Sequence, residues 1–305
     1  MRKVIILSAV TGSVHTPSMS PYLPITPDQI VEDIVKSCKA GAAIAHYHVR
    51  NPETGEPIAS LEFFREVATK VKKRCDIILC PTTGGAPGQP LEQRLAVIPE
   101  LQPEMCTYNM GPWIMPMFTI LEKYKEFKYP WERKFLEDSY SHCEDWTYEI
   151  FEAYGRTMAK YGTKPEIELY DVSHIDTVAW LLSAGIIEKP LYLQFVLGGG
   201  GMLPSVDNLI FFHKTARETL GDFEFAAASA GRNLMPIVAI SLALGGNVRV
   251  GLEDALYIGH GVLAKSSAEQ VQGAVKIIEG MGLEVATADE TRQMLELKGL
   301  DKVNF

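Results

Sequence analysis

The sequence of 305 residues predicts a (β/α)8 barrel, a TIM barrel, with residues 1–305 forming a single domain. Three observations lead to this fold class. Short apolar runs alternate with amphipathic stretches eight times, and strands that are each followed by a helix form a parallel sheet. Eight such units in this length favour a closed barrel over an open, doubly wound sheet. Polar residues also recur where the predicted strands end, and that end of a barrel carries function.

Apolar runs and turn residues place the elements in order. Thr26 followed by Pro27 is a typical helix start, and Gly41 is a typical helix end. The predicted strands cover residues 4–10, 41–50, 76–81, 104–109, 165–170, 191–196, 224–229 and 247–251. The predicted helices cover residues 27–40, 60–74, 91–99, 145–161, 175–184, 206–220, 234–244 and 268–281, and a C-terminal capping helix covers 287–297.

One connection is longer than a barrel needs. Residues 111–141, after the fourth strand, are rich in aromatic residues, Met, Pro and charged residues. Ordinary connections between a strand and its helix are a few residues long. We therefore expect this segment to be a lid, an oligomer contact or an extended connection.

Composition excludes several classes of protein. The net charge of −9 argues against a nucleic-acid-binding protein. No run of about 18 apolar residues predicts a membrane span, and the chain enters a strand at once, without the pattern of a signal peptide. The five cysteines are scattered and form no Cys-x-x-Cys pair, so we expect a reduced protein of the cytoplasm.

Two histidines in the second strand are the first candidate site. His46 and His48 are two residues apart, so on a strand they share a face, with Cα atoms roughly 6.6 Å apart. Two imidazoles at this spacing can reach one metal ion and leave positions for a third ligand and a substrate. The alternative interpretation is two hydrogen-bonded polar residues at a strand end.

The end of the eighth strand carries the residues that we expect to lie beside the two histidines. Alternation predicts that Arg249 and Glu253 share a face, with Asp254 following in the loop. An ordinary surface salt bridge is the alternative, but strands two, four and eight can project into one layer of a barrel. Two histidines and one carboxylate form a common open zinc set. Glu253 is then the third ligand, Asp254 a base, and Arg249 a positive charge for an anionic substrate or enolate.

Several stretches resemble the β-keto acid cleavage enzyme family, and together they span nearly the whole chain. They are Ser20-Pro21-Tyr22-Leu23-Pro24-Ile25-Thr26-Pro27, residues 40–50 around the two histidines, Thr82-Thr83-Gly84-Gly85, Pro103-Glu104-Met105, and residues 245–254.

The resemblance implies a zinc-bearing barrel that is a homo-oligomer, a tetramer in the family. The implied reaction converts a β-keto acid and acetyl-CoA into acetoacetate and a new acyl-CoA. By position, the family's metal ligands fall on His46, His48 and Glu253, its base on Asp254 and its arginine on Arg249. Its substrate contacts fall on Thr82, Thr83 and Thr107.

The chain departs from the aminohexanoate-cleaving members after the first strand. Those members carry an acidic residue there that holds the ammonium group of the substrate, whereas this chain has Val14 and His15. We therefore expect β-keto acids whose distal end is uncharged or polar, or anionic if His15 is protonated, to be preferred over an amino substrate. His15 is expected either to face the substrate or to form a loop hydrogen bond, and Gly198–Gly201 is expected to be either a flexible loop or a phosphate cradle.

Two other functions compete with this interpretation. A metal-dependent hydrolase of the amidohydrolase type also uses His-x-His in a barrel, but it places the pair on strand one and adds histidines on strands five and six. A non-catalytic barrel could bind metal and an acyl ligand, but binding alone does not need a free base such as Asp254.

Overall fold

The computed structural model describes residues 1–84, 89–112, 114–143 and 146–305. Eight parallel strands form one sheet in the order third, second, first, eighth, seventh, sixth, fifth, fourth. The predicted barrel is confirmed, because the sheet curls until its two end strands lie side by side. In chain order the strands are Ile6–Ala9, Ile44–Tyr47, Ile78–Pro81, Met105–Asn109, Lys164–Leu169, Tyr192–Leu197, Glu224–Ser229 and Asn247–Val250.

Side chains close the seam between the third and fourth strands. The Thr83 amide donates to Thr107 Oγ1 at 2.9 Å, and Thr83 Oγ1 donates to the Thr107 carbonyl at 2.8 Å. The Cys106 thiol donates to the Pro81 carbonyl. These bonds join the two ends of the sheet in place of a backbone ladder.

Helices surround the sheet as the alternation predicts. The first begins with a capping box between Thr26 and Gln29 and ends at Gly41. The helix predicted over 91–99 is two short helices, and the start predicted at Asp145 lies outside the described residues. The observed helices are Pro27–Ala40, Leu61–Lys72, Leu91–Leu95, Val97–Leu101, Pro130–Asp138, Tyr148–Tyr161, His174–Ser183, Val206–Leu220, Leu234–Ala243, Ser267–Gly280 and Ala288–Leu295.

The long connection after the fourth strand is folded back onto the loop that follows the first strand. It contains a 3-10 helix, Met117–Glu122, and the helix Pro130–Asp138. Glu132 on that helix is fully buried and accepts hydrogen bonds from both the amide and the hydroxyl of Ser18. The connection therefore lies over one side of the barrel mouth.

The lower half of the barrel interior is apolar. Side chains such as Ile5, Leu7, Ile44 and Ile78 fill it, and Leu295 of the last helix packs into the same cluster. The C-terminal helix therefore closes the amino-terminal end of the barrel, and polar side chains are left for the other end. Within the described ranges, no helix is long and apolar enough to cross a bilayer.

Candidate active site

A pocket opens at the carboxyl ends of the strands. It is bounded on one side by barrel residues and on the other by the long connection. Its described lining residues are Ser13, Val14, His46, His48, Thr82, Gly84, Arg94, Asn109, Met115, Met117, Phe135, Ser139, His142, Glu168, Tyr170 and Glu253.

Three side chains converge at the base of this pocket. His46 Nε2 lies 3.1 Å from Glu253 Oε2, and His48 Nε2 lies 3.8 Å from Glu253 Oε1. The potential ligand atoms of all three residues lie within 4.8 Å of one another. The spacing predicted from His-x-His therefore brings both rings to one carboxylate.

The chemistry of this donor set fits a zinc ion. Two imidazoles and one carboxylate form an open set that leaves a position for water or substrate. Glu253 Oε2 is buried and accepts no hydrogen bond within the described residues, although His46 Nε2 is close to it. Buried polar atoms are normally satisfied, so a cation between these atoms would complete their coordination.

The charges in the cluster are strongly coupled. Burial lowers the pKa of His46, but the negative charge of Glu253 outweighs burial and raises that pKa to about 9. Burial lowers the pKa of His48 to about 3, despite the attraction of Glu253. One carboxylate thus supports one imidazolium, and the second histidine is neutral.

Glu253 reaches the pocket from a turn rather than from the eighth strand. The strand ends at Val250, and a Cβ atom on Gly251 would lie 1.9 Å from the Ala9 carbonyl oxygen. Glycine therefore lets the chain pass close to the first strand, where the Glu253 amide donates to that same oxygen at 3.1 Å. The predicted strand end at residue 251, and with it the alternation through Glu253, is wrong because the turn begins earlier.

Arg249 is the centre of a buried cluster of carboxylates. It donates to Glu168 at 2.7 Å, to Glu253 at 2.8 Å and to both oxygens of Asp254 at 3.1 Å. These charges raise the pKa of Arg249 further above its ordinary value, although burial opposes the shift. Neither Arg249 nor Asp254 is among the described lining residues. Asp254 is therefore held in an ion pair beside the pocket.

Asp254 has a perturbed acidity in this setting. Burial raises the pKa of its carboxyl to about 6, against the lowering effect of Arg249. Burial also raises the pKa of Glu253, but the positive charges of His46 and Arg249 outweigh burial and hold it well below its ordinary value. Two adjacent carboxyls thus have different proton affinities, which is the usual basis for assigning a ligand and a base.

The predicted substrate contacts divide into two groups. Thr82 lines the pocket, and its hydroxyl accepts a hydrogen bond from the Gly84 amide. Thr83 and Thr107 bond to each other across the seam of the barrel. Gly85, the last residue of the predicted Thr-Thr-Gly-Gly motif, lies outside the described residues.

His15 forms the loop hydrogen bond that was one of its two expected roles. Its Nδ1 lies 2.9 Å from the Leu252 carbonyl oxygen, and burial lowers its pKa to about 4, so the neutral ring donates this bond. The fully buried Arg50 holds the same loop by donating to the carbonyls of Gly12 and His15. This contact fixes the loop beside the turn that carries Glu253.

The sequence analysis missed Arg50 and several residues of the site. Glu166, Glu168 and Tyr170 are spaced two apart on and just after the fifth strand, and alternation on a predicted strand could have placed them inside the barrel. His142 also lines the pocket, although no partner pattern marked it, and so does Asn109, which the sequence places at the functional end of the fourth strand. No local signal marks Met115, Met117 and Phe135, because only the fold of the long connection brings them to the mouth.

The glycine run after the sixth strand has a steric reason. A Cβ atom on Gly200 would lie 1.9 Å from the Ile114 carbonyl oxygen, so the run passes close to the long connection. The Gly198 amide donates to the Met202 carbonyl and the Gly201 amide to the Gly198 carbonyl. Close packing therefore explains Gly200 and Gly201, whereas Gly198 and Gly199 have φ angles of 83° and 62°, in the left-handed region that favours glycine. The two expected roles of the run, a flexible loop or a phosphate cradle, stay predictions.

The fold and the site together define a class of protein. It is a (β/α)8 barrel that carries two neighbouring histidines, several carboxylates and an arginine at the carboxyl ends of its strands. A family model described as beta-keto acid cleavage enzyme matches residues 3–297. The chain belongs to the β-keto acid cleavage enzyme family, and it is an enzyme that cleaves a carbon–carbon bond of β-keto acids. The predicted family and enzyme class are confirmed.

Two relatives support this assignment, and a solved structure shares the fold. The chain is 42% identical over 306 residues to 3,5-dioxohexanoate:acetyl-CoA acetone transferase of Paraburkholderia graminis, covering 100% of this chain and 99% of the relative. It is 34% identical over 299 residues to 3-keto-5-aminohexanoate cleavage enzyme of Fusobacterium nucleatum, covering 98% of this chain and 99% of that relative. The ternary complex of ObcA with a C4-CoA adduct and oxalate shares the fold, with a TM-score of 0.73 and 20% identity over 91% of this chain and 68% of that one.

Proposed function

We propose that the protein uses acetyl-CoA to convert a β-keto acid into acetoacetate and a new acyl-CoA, with a zinc ion held by His46, His48 and Glu253. The observation that carries this proposal is the convergence of these three side chains beside Asp254 and its arginine partner. The name of the Paraburkholderia relative, which contains both acetyl-CoA and a β-keto acid, supports the choice of co-substrate.

The residues of the chain divide the work of this reaction. Zinc at the three ligands would polarise the 3-oxo group of the substrate and make the C2 protons more acidic. Asp254 accepts one of these protons, because its pKa of about 6 leaves the carboxyl ionised at neutral pH. Arg249 keeps that carboxylate oriented, and from its place beside the pocket, behind Glu253 and Asp254, it supplies positive charge near the enolate.

The bond changes follow from that enolate. Its C2 attacks the acetyl carbonyl and releases the CoA thiolate, which then attacks the former 3-carbonyl. The bond between C2 and C3 breaks, and the electrons return to C2, which is protonated. Acetoacetate leaves together with the new acyl-CoA, so atoms and charges balance.

The pocket favours a substrate whose distal end is uncharged. Val14, Met115, Met117 and Phe135 give the lining an apolar part. By the family resemblance, Val14 and His15 follow the first strand where the aminohexanoate-cleaving members carry an acidic residue. A buried ammonium without a counter-charge costs several kcal/mol. A 3,5-dioxo acid has an uncharged distal end, and the name of the Paraburkholderia relative contains such an acid, 3,5-dioxohexanoate.

Metal analysis tests the ligand assignment. His46→Ala and Glu253→Ala should each lose most of the bound zinc and the production of acetoacetate, because two remaining protein ligands bind zinc poorly. The matched controls are His213→Ala on an outer helix and Glu137→Ala, an exposed residue of the helix Pro130–Asp138, and both variants should retain zinc and activity. Full zinc occupancy and normal turnover in both ligand variants would refute the assignment.

A substrate comparison tests the distal end. The kcat/KM of a 3,5-dioxo acid should exceed that of 3-keto-5-aminohexanoate at fixed acetyl-CoA, and Val14→Glu should narrow the difference by introducing a counter-charge. If the kcat/KM of the unmodified protein were tenfold higher for 3-keto-5-aminohexanoate, another acidic residue would have to supply the counter-charge for the ammonium group.

We propose in addition a homo-oligomer, with a tetramer as in the family, that works in the cytoplasm. Exposed apolar side chains cluster in sequence on and before the helix Val206–Leu220, namely Leu203, Val206, Ile210 and Phe211. All five cysteines are free thiols, which suits a reducing compartment. Light scattering should give four times the chain mass, and Phe211→Glu should lower it, whereas a monomeric unmodified protein would refute the oligomer.

A further inference from the structure

A second carboxylate lies on the far side of His46, away from Glu253. Glu166 on the fifth strand is completely buried, and its Oε2 lies 4.0 Å from His46 Nδ1. His46 thus sits between two carboxylates, with Nε2 facing Glu253 and Nδ1 facing Glu166. The proposed zinc site uses only the side of His46 that faces Glu253.

The nitrogen that faces Glu166 needs an acceptor. A histidine that ligates a metal through Nε2 in its neutral form carries its proton on Nδ1. Nδ1 of His46 is buried and makes no hydrogen bond within the described residues, and the same holds for Glu166 Oε1. Leaving such groups unsatisfied is unfavourable, because a buried donor or acceptor has lost its hydrogen bonds to water without gaining a partner. A shift of roughly 1 Å would bring Nδ1 and Oε2 to hydrogen-bond distance.

Other contacts hold Glu166 in place for this purpose. The Cys80 thiol on the third strand donates to Glu166 Oε2 at 3.1 Å. Burial raises the pKa of that thiol well above its ordinary value, so it stays protonated and remains a donor. Arg249 Nη1 lies 3.8 Å from Glu166 Oε1. Glu166 is therefore fixed between His46 and Arg249 by neighbours from two other strands.

We infer that Glu166 is a positioning residue: it accepts the Nδ1 proton of His46, fixes the ring's tautomer and orientation, and so presents Nε2 to the metal. This inference rests on the proposed zinc site. Carboxylates that hold the second nitrogen of a ligating histidine raise its basicity, and their loss typically weakens metal binding 10–100-fold.

A different use of the same residues is a second metal site. One potential ligand atom each of His46, Cys80 and Glu166 lies within 4.8 Å of the others. That site would need Nδ1 as a ligand, so it cannot coexist with the proposed hydrogen bond. The zinc stoichiometry separates the two, because a positioning role requires one zinc ion per chain and a second site requires two.

Zinc affinity, measured by competition with a chromophoric chelator, tests the inference without relying on turnover. Glu166→Leu should bind zinc about 10–100-fold more weakly than the unmodified protein. Glu166→Gln, whose amide oxygen can still accept the Nδ1 proton, should stay within about threefold. Glu104→Leu removes another buried carboxylate, paired with Arg292 at the opposite end of the barrel, and should lower the melting temperature while leaving zinc affinity unchanged.

Each other outcome overturns the inference. Equal zinc affinity in Glu166→Leu and the unmodified protein, an equally weak Glu166→Gln, or two zinc ions per chain would each do so. If the leucine variant does not fold, Glu166→Met replaces it under the same criteria. If the unmodified protein binds no zinc, or if His46→Ala binds it normally, the proposed metal site itself fails, a result distinct from a normal site that ignores Glu166.

Discussion

At the residue scale, the main chemical feature is that two adjacent carboxyls, Glu253 and Asp254, have different pKa values. Glu253 faces two histidines and has a lowered pKa, whereas Asp254 accepts two hydrogen bonds from Arg249 and has a pKa of about 6. One neighbour is thereby suited to ligation and the other to proton transfer. The chain achieves this difference by turning directly after Gly251 rather than by extending the strand.

Asp254→Asn tests the role of the base. The amide keeps the size of the side chain but accepts no proton, so kcat should fall by roughly 10²–10⁴, the range for loss of a general base. Zinc content should stay normal, because Glu253 and both histidines are unchanged. Loss of zinc from this variant would instead make Asp254 a ligand.

Zinc binding should release protons near neutral pH. His46 has a pKa of about 9 in the metal-free chain and is therefore protonated at pH 7.5, whereas a zinc ligand must be neutral. About one proton per zinc ion should leave, and zinc affinity should weaken as the pH falls. Calorimetry in buffers of different ionisation enthalpy measures this number, and release of no proton would contradict the ionised state of His46.

At the scale of the elements, a buried glutamate, Glu132, helps to anchor the long connection to the loop after the first strand. Glu132→Ala would remove acceptors for both donors of Ser18 and for the Tyr129 amide, and should destabilise the protein by about 2–4 kcal/mol. Glu137→Ala changes an exposed residue of the same helix and should have little effect. Chemical denaturation measures both, and equal small effects would show that the connection is held elsewhere.

Local patterns predicted the elements well but predicted contacts across the barrel poorly. Apolar runs bounded by Gly, Pro and capping residues identified all eight strands, and His-x-His located two members of the site. Glu166 and Glu168 were missed because their partners lie on other strands, more than 80 residues away in the chain. The seam role of Thr83 and Thr107 was missed because it depends on how the barrel closes.

At the scale of the whole molecule, we propose that residues 1–305 form one domain. Contacts between the two ends of the chain support this, since the strand Lys3–Val4 pairs with Glu284–Val285, and Leu295 of the C-terminal helix packs into the apolar cluster of the barrel interior. Thermal unfolding should show one transition by circular dichroism and by tryptophan fluorescence. Zinc at about 100 times its dissociation constant should add about 2.7 kcal/mol of stability. Two separate transitions would contradict a single domain.

The reaction itself is tested most directly by the fate of the acetyl carbons. With acetyl-CoA labelled by 13C at both acetyl carbons and an unlabelled β-keto acid, the proposed bond changes place the label at C3 and C4 of acetoacetate. The new acyl-CoA should be unlabelled, and nuclear magnetic resonance and mass spectrometry together establish both. Unlabelled acetoacetate, or cleavage that proceeds without acetyl-CoA, would contradict the proposed reaction.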